Sequence, residues 1–186
     1  MKSLYKNEQS GRSMVEMLGV LAIIGVLSVG GISGYSKAMA KYKLTKAQDQ
    51  MAMILINIRT AFASAPSYAG LSNSNAILMN IIPGDMLPSG IGKASGSVKN
   101  AFGGGVTLGV DGGNTQFTIK FDGLGKETCA SLASSDWGSD GLVKIDVNGT
   151  SYAYGAANVV LPLPPATAIS SCSGNGATNY ITWTYY

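Results

Sequence analysis

Residues 11–25 read GRSMVEMLGVLAIIG and place one carboxylate, Glu16, at the start of a strongly apolar run. The 20 residues from Met17 to Ser36 carry no charge and are mainly Leu, Val, Ile, Gly and Ala. As a helix, such a run is long enough to cross a hydrocarbon core of about 30 Å. The sequence therefore predicts that the chain begins at a membrane. It also requires an explanation for Glu16, because a carboxylate inside an apolar span is costly.

The composition excludes several classes of function. The 186-residue chain contains no histidine, has a formal net charge of +3, and only 12% of its residues are charged. Without imidazole, histidine acid–base catalysis and histidine-ligated metals are excluded. The charge is weak and the lysines lie mainly near the N-terminus, so the chain lacks the basic face that nucleic-acid binding requires. We expect no direct binding of nucleic acid and no metal or other cofactor.

The sequence contains no catalytic motif that we recognise. Neither a GxxxxGK loop nor a GxGxxG fingerprint occurs, and the many serines lack a histidine or a paired-lysine motif. Asp136, Asp140 and Asp146 lie near glycines and offer oxygen ligands of the kind that calcium binds, but EF-hand spacing is absent. We interpret these aspartates as turn residues and expect a protein that is not an enzyme.

The N-terminal segment has two conventional interpretations. In the first, it is a secretory signal peptide that is cut after Ala40, within an A-x-A pattern. The length of the apolar run, the charge of Glu16 and the position of Lys37 beside the cut argue against this interpretation. In the second, it is an uncleaved membrane anchor, which leaves Glu16 unexplained.

A third interpretation rests on resemblance. The stretch from Gly11 to Glu16, with the apolar run after it, resembles the class III signal of type IV pilins and related filament subunits. In that family the prepilin peptidase removes a short basic leader that ends in glycine and methylates the new N-terminus, and the fifth mature residue is glutamate. The resemblance implies a leader over residues 1–11, cleavage between Gly11 and Arg12, N-methylation of Arg12, and a role for Glu16 in subunit assembly.

The chain departs from the family pattern at two points. The mature chain would begin with Arg12, whereas the family usually begins with Phe or another apolar residue. The apolar helix also lacks the proline that many members carry, and in this it resembles the type IVb branch.

Electrostatics supplies a reason for Glu16. When subunits pack through their N-terminal helices, the positive amine of one helix is buried among apolar neighbours, and an unpaired buried charge is costly. A carboxylate on a neighbouring helix would neutralise that amine and fix the axial register. The alternative is a glutamate that snorkels to the membrane interface or is protonated there.

The glycines of the apolar run admit more than one explanation. Gly25, Gly30 and Gly34 weaken a helix by up to about 1 kcal/mol each relative to alanine. They could let helices approach closely, or mark where the helix stretches as subunits leave lipid. Glycine is also simply common in membrane helices.

The rest of the chain predicts an α+β fold. One long N-terminal helix from Met14 to Ser64 would span the membrane in its first half, residues 12–36, and be amphipathic over residues 37–65, ending before Pro66. Its amphipathic half would pack on a loop-rich domain, residues 66–186, with a small, mainly antiparallel sheet. Hairpins are predicted at residues 106–121 and 143–154, a last strand at residues 180–186, a short helix at residues 126–134, and a Pro-rich loop at residues 161–168.

Cys129 and Cys172 are the two cysteines of the chain. Their spacing does not suggest a metal site, so they form either one disulfide or two free thiols, and an oxidising compartment favours the disulfide. The basic residues on both sides of the apolar run do not choose a topology. If the two cysteines are bridged, the C-terminal domain lies outside and the basic start in the cytoplasm. The resemblance implies the disulfide-bounded C-terminal region of a pilin.

Together these observations predict the subunit of a type IV pilus. The expected partners are further copies of the chain in a helical filament, the inner membrane before assembly, the prepilin peptidase and the assembly machinery. The expected location is the inner membrane and then the cell surface. A pseudopilin of a secretion machine and a secreted binding module cut at Ala40 are the alternatives.

Overall fold

A computed structural model describes residues 14–88, 96–138, 140–156 and 159–186 of the chain. It divides into two compact units, Met1–Lys41 and Tyr42–Tyr186. Helix α1, Met14–Ala61, contributes residues to both units. It ends three residues before the predicted Ser64, because the chain tightens ahead of Pro66, and the amide of Ala65 bonds the carbonyl of Phe62 at 3.0 Å.

The described part of the first unit is the apolar half of α1. Every side chain from Met14 to Ala38 is exposed. Within the described residues, α1 is the one helix that is long and apolar enough to cross a membrane, judged by length and composition. A signal sequence near an N-terminus would meet the same criterion.

A five-stranded antiparallel sheet forms the frame of the second unit. Its strands are β1 Val106–Asp111, β2 Gln116–Leu124, β3 Leu142–Val147, β4 Thr150–Ala153 and β5 Asn179–Tyr185. They are ordered β1-β2-β5-β3-β4, so the last strand of the chain lies at the centre of the sheet. The two predicted hairpins are confirmed.

Local turn chemistry explains both hairpins. Asn148 and Gly149 connect β3 to β4 with φ angles of 52° and 86°, the left-handed conformation that a two-residue hairpin turn requires and that this residue pair tolerates. A short 3₁₀ turn, Gly112–Asn114, connects β1 to β2. The Asp111 carboxylate caps this turn by accepting a hydrogen bond from the amide of Gly112.

One face of the sheet packs on the amphipathic part of α1. Alternate residues of the strands are buried, as the period of two in the sequence predicts. The core combines four apolar helix residues with strand side chains that include three large aromatics: Ala47, Met51, Ile54, Ile58, Phe117, Phe121 and Trp183. Each buried side chain of Leu or Ile size stabilises the fold by about 1.5–3 kcal/mol relative to exposure. The predicted α+β architecture, a long helix packed on an antiparallel sheet, is confirmed.

Two short helices and a disulfide complete the C-terminal region. Helix α3, Lys126–Ala133, matches the prediction, and Cys129 on it is joined to Cys172 with Cα atoms 5.9 Å apart. The predicted Pro-rich loop at residues 161–168 was wrong in part, because Pro165 begins a helix. Proline is favoured at the first helical position, where its missing N–H has no helical partner. This helix, Pro165–Ser171, is α4. Helix α2 is Asn73–Leu78.

Helix α2 shields one edge of the sheet. Its first residue, Asn73, accepts a hydrogen bond from the amide of Leu108 at 2.8 Å and donates to the carbonyl of Val106 at 2.7 Å. One side-chain amide thus satisfies two outward backbone groups of edge strand β1, in the way that a further strand would. Such cover prevents the edge from pairing with another sheet.

Candidate assembly surface

Glu16 lies in the first turn of α1, and its side chain is exposed. It is followed by 32 residues, 17–48, that contain no acidic side chain. Gly11 and Arg12, where the sequence predicts cleavage and methylation, lie outside the described residues. The local structure therefore presents one carboxylate near the start of a helix whose next turns are wholly apolar.

The helix places two of the predicted glycines on the same face as Glu16. Gly34 follows Glu16 by 18 residues, which is five turns at about 3.6 residues per turn. Gly30 is one turn closer and lies on nearly the same line. Gly25 is nine residues from Glu16 and faces the opposite side. A carboxylate and two side-chain-free positions thus share one face, while Gly25 belongs to another.

These glycines are not required by the chain's own packing. A Cβ atom built at Gly25, Gly30 or Gly34 has no atom within 4 Å outside its local helix backbone. Gly104 is a contrasting case, since its Cβ would lie 1.9 Å from the carbonyl oxygen of Asp122. Gly104 permits close backbone approach inside the domain. The glycines of α1 therefore weaken a helix without serving a contact among the described residues.

The second unit has three exposed apolar side chains on α1 that sequence analysis missed. Tyr42, Met53 and Ile56 are 61%, 55% and 62% exposed and lie on the face of α1 opposite its buried residues. The amphipathic pattern of residues 37–65 predicts polar residues on that face. Tyr42 and Met53 are eleven residues apart, and Met53 and Ile56 are three apart. Both spacings bring side chains to one side of a helix, so the sequence carries a signal for this exposed group. Met53 and Ile56 are neighbours on this face, whereas Tyr42 is three turns from Met53 with the exposed Asp49 between them.

A polar network secures α1 to the loop that follows α2. Gln50 is only 3% exposed; it donates to the Asp85 carboxylate at 2.9 Å and accepts from the amide of Ala101 at 3.0 Å. Lys46 pairs with the same carboxylate at 3.0 Å. Partial burial acts to raise the pKa of Asp85, but the hydrogen bonds from Gln50 and Lys46 and the nearby ammonium outweigh it, so the pKa lies below 3.8. Sequence analysis missed Gln50, because a single polar residue in an apolar stripe gives no distinct signal.

The acidic residues considered for calcium serve turns. Asp136 accepts a hydrogen bond from the amide of Gly138, and Asp146 accepts one from the amide of Gly149, each at 2.9 Å. This confirms the turn interpretation for these two. The Asp140 backbone carbonyl accepts from the Arg59 guanidinium at 2.6 Å. Among the described residues, no three acidic, cysteine or histidine side chains are grouped as a metal site.

A cleft of about 400 Å³ lies beside β3. It is lined by Trp137, Tyr154, Leu161 and neighbouring residues. The indole N–H of Trp137 donates to the carbonyl of Leu132 at 2.7 Å, and the Ser135 hydroxyl donates to the carbonyl of Ser131 at 2.8 Å. These polar groups serve local structure, and the cleft gives no indication of chemistry.

Comparisons with known proteins agree with this architecture. A family model described as PilS N terminal matches residues 41–186. The toxin coregulated pilin of Vibrio cholerae serotype O1 is 28% identical over 140 residues, which cover 70% of this chain and 59% of that protein. The chain therefore spans somewhat more than half the length of the curated relative that it matches.

Two solved structures share the fold. The type IVb pilin from Salmonella typhi superposes with a TM-score of 0.57 at 24% identity, over 78% of this chain and 98% of that one. TcpA, a type IV pilin of the Vibrio cholerae El Tor biotype, gives a TM-score of 0.56 at 17% identity, over 78% and 99%. At these identities the likeness concerns the fold.

Proposed function

Because the chain belongs to the PilS N-terminal family, we propose that it is the precursor of a type IVb pilus subunit. Residues 1–11 form the leader, which the prepilin peptidase removes between Gly11 and Arg12 before methylating Arg12. Residues 12–36 hold the subunit in the inner membrane, residues 37–65 carry the second half of the helix, and residues 66–186 form the outer domain. Copies then assemble into a cell-surface filament, with adhesion, aggregation, DNA transfer or motility as consequences.

One observation carries this proposal: the apolar half of α1 has an exposed surface that nothing in the described chain covers. Large hydrophobic residues such as Met14, Val26 and Val29 are 81%, 75% and 72% exposed. Lipid can cover this surface before assembly, and the helices of other copies can cover it afterwards. The unfilled positions at Gly30 and Gly34 allow such helices to approach closely.

Glu16 acts in the assembled filament. Removing the leader creates a positive amine at residue 12, four residues before Glu16. In a filament that amine enters apolar surroundings, where an unpaired charge is costly. The Glu16 carboxylate of an adjacent copy pairs with it, so that only the correct axial register buries both charges together.

Replacing Glu16 tests this function. We expect Glu16→Ala to leave leader cleavage intact and to abolish or sharply reduce filaments, because the buried amine loses its partner. Glu127→Ala is a matched control, since Glu127 is an exposed carboxylate in the first turn of α3. Filament yield is measured by electron microscopy and by the amount of subunit sheared from cells. Wild-type filament yield in Glu16→Ala would remove the charge-pairing mechanism.

A further inference from the structure

The end of the apolar run carries a concentration of positive charge that the filament argument does not use. Lys37, Lys41 and Lys43 follow Ser36 closely, and all three side chains are exposed. The nearest acidic residues along the chain are Glu16 and Asp49. In this part of the helix, positive charge is therefore not balanced by local carboxylates.

The contacts of the lysines support this description. Lys46, Lys120 and Lys144 each have a carboxylate oxygen within 3.0–3.1 Å. These are the ion pairs formed within the described part of the chain, and Lys37 and Lys41 take no part in them. Lys37 and Lys41 are four residues apart, which brings both side chains to one face of the helix.

Tyr35 stands at the boundary between the apolar run and the lysines, and its side chain is 67% exposed. Tyrosine is enriched where membrane spans meet water, because its ring suits the headgroup region and its hydroxyl can bond there. Lysine side chains near the end of a span extend their ammonium groups toward the same region. The order of apolar run, tyrosine and lysines therefore matches the depth profile of one leaflet.

We propose that Tyr35, Lys37 and Lys41 bind the headgroups of anionic phospholipids while the subunit is held in the membrane. This inference rests on the proposed function, which places residues 17–36 across the bilayer. The lysines attract the phosphates of the leaflet in which the span ends, and the absence of acidic residues over residues 17–48 leaves that attraction unopposed. The membrane-held subunit thereby selects anionic lipids as neighbours.

Lipid selectivity of the reconstituted full chain tests the inference. The chain is incorporated into phosphatidylcholine vesicles, and electron spin resonance gives the relative association of spin-labelled phosphatidylglycerol and spin-labelled phosphatidylcholine with it. We expect a severalfold preference for phosphatidylglycerol that falls clearly, though not to parity, in a Lys37→Gln, Lys41→Gln double variant, because Lys2, Lys6, Arg12 and Lys43 remain near the bilayer. Lys99→Gln with Lys126→Gln is the matched control, since it removes two lysine charges from the second unit, and it should retain the preference.

Two solution conditions identify the source of the phosphate. Raising salt from about 0.1 M to about 1 M shortens the screening length from about 10 Å to about 3 Å and should weaken the preference. Inorganic phosphate should act no more strongly than chloride of equal ionic strength. A specific loss with inorganic phosphate would overturn the inference, because the lysines would then bind a free ion.

The remaining outcomes separate this inference from the proposed function. A chain that incorporates but shows equal preference for both lipids, or a double variant that keeps the full preference, overturns the lipid inference alone. Unchanged lipid preference with fewer filaments in the double variant would assign the lysines to contacts between copies and also overturn it. A chain that does not enter the phosphatidylcholine vesicles would overturn the inference together with the membrane stage of the proposed function.

Discussion

Single polar residues determine much of how the second unit holds together. Gln50 satisfies two groups that belong to different parts of the loop region, and Asn73 satisfies three backbone groups, including the carbonyl of Gly96 at 2.8 Å. Leaving such groups unsatisfied would cost about 1–3 kcal/mol each where they are buried. Neither residue could be singled out from the sequence, because the partners come from segments up to 51 residues away.

The Asp85 network predicts a stability change with pH. Because the pKa of Asp85 is lowered in the folded state, its contribution to stability is present above its ordinary pKa of 3.8 and is lost as pH falls through the lower folded value. We expect Asp85→Asn to lower the unfolding temperature at neutral pH and to reduce the further loss below pH 3.8. Thermal unfolding of the full chain in detergent, followed by circular dichroism, measures both effects.

The exposed carboxylate Asp49 provides the control, since it lies on α1 outside this network. Asp49→Asn should leave the acid dependence as in the wild type. The account would be contradicted if the unfolding temperature of Asp85→Asn fell with acid as steeply as that of the wild type. The Asp85 network would then not couple stability to pH.

At the scale of elements, the glycines of the apolar half of α1 and Gly104 in the loop before β1 lie in different surroundings. We expect Gly30→Leu to leave the unfolding temperature of the subunit unchanged, because the position faces open space, but to lower filament yield through poorer helix approach. Gly104→Ala should lower the unfolding temperature, because its Cβ would overlap the carbonyl oxygen of Asp122. Val29→Leu, at an exposed apolar position, is the control for added bulk in α1. Full filament yield from Gly30→Leu would contradict the packing role.

The disulfide joins α3 to the end of α4 across 43 residues of sequence. On the chain-entropy model, closing a loop of this length stabilises the fold by about 4 kcal/mol. A Cys129→Ser, Cys172→Ser double variant should therefore unfold at a lower urea concentration than the wild type. Reductant should lower the midpoint of the wild type and have no effect on the double variant. Equal midpoints for both proteins would mean that the bridge contributes no stability.

The sequence predicted most elements because their signals are local. Three signals depend on residues close in sequence: the turn at Asn148 and Gly149, the amphipathic stripe of α1, and the alternation along β2. In β2 the buried Phe117, Ile119 and Phe121 alternate with Thr118 and Lys120. The central place of β5 could not be predicted, because it depends on pairing with β2 and β3 from distant parts of the chain. Helix α4 was missed because its prolines were interpreted as loop signals, although one of them begins the helix.

The candidate assembly surface was predicted in part. Glu16 and the glycines were identified from their pattern, and the structure adds that Gly30 and Gly34 share a face with Glu16 whereas Gly25 does not. The exposure of Tyr42, Met53 and Ile56 became visible only when the buried face of α1 was known, because the same residue types occur in a core and on a surface.

On the scale of the whole molecule, the two units satisfy different requirements. The second unit buries its own core and closes it with a disulfide. The described part of the first unit buries no apolar side chain within the isolated chain. A chain with this division needs an external apolar environment for one part and none for the other. In the proposed function, lipid covers the first unit before assembly and the helices of other copies cover it in the filament.

The intact mass of the subunit in filaments sheared from the cell surface tests this account most directly. We predict that the sheared fraction contains this chain, starting at Arg12 with or without one added methyl group, with Cys129 and Cys172 bridged. Absence of the chain from surface filaments, or a secreted form starting at Lys41, would contradict the account, because Glu16 would then have no role in the mature protein.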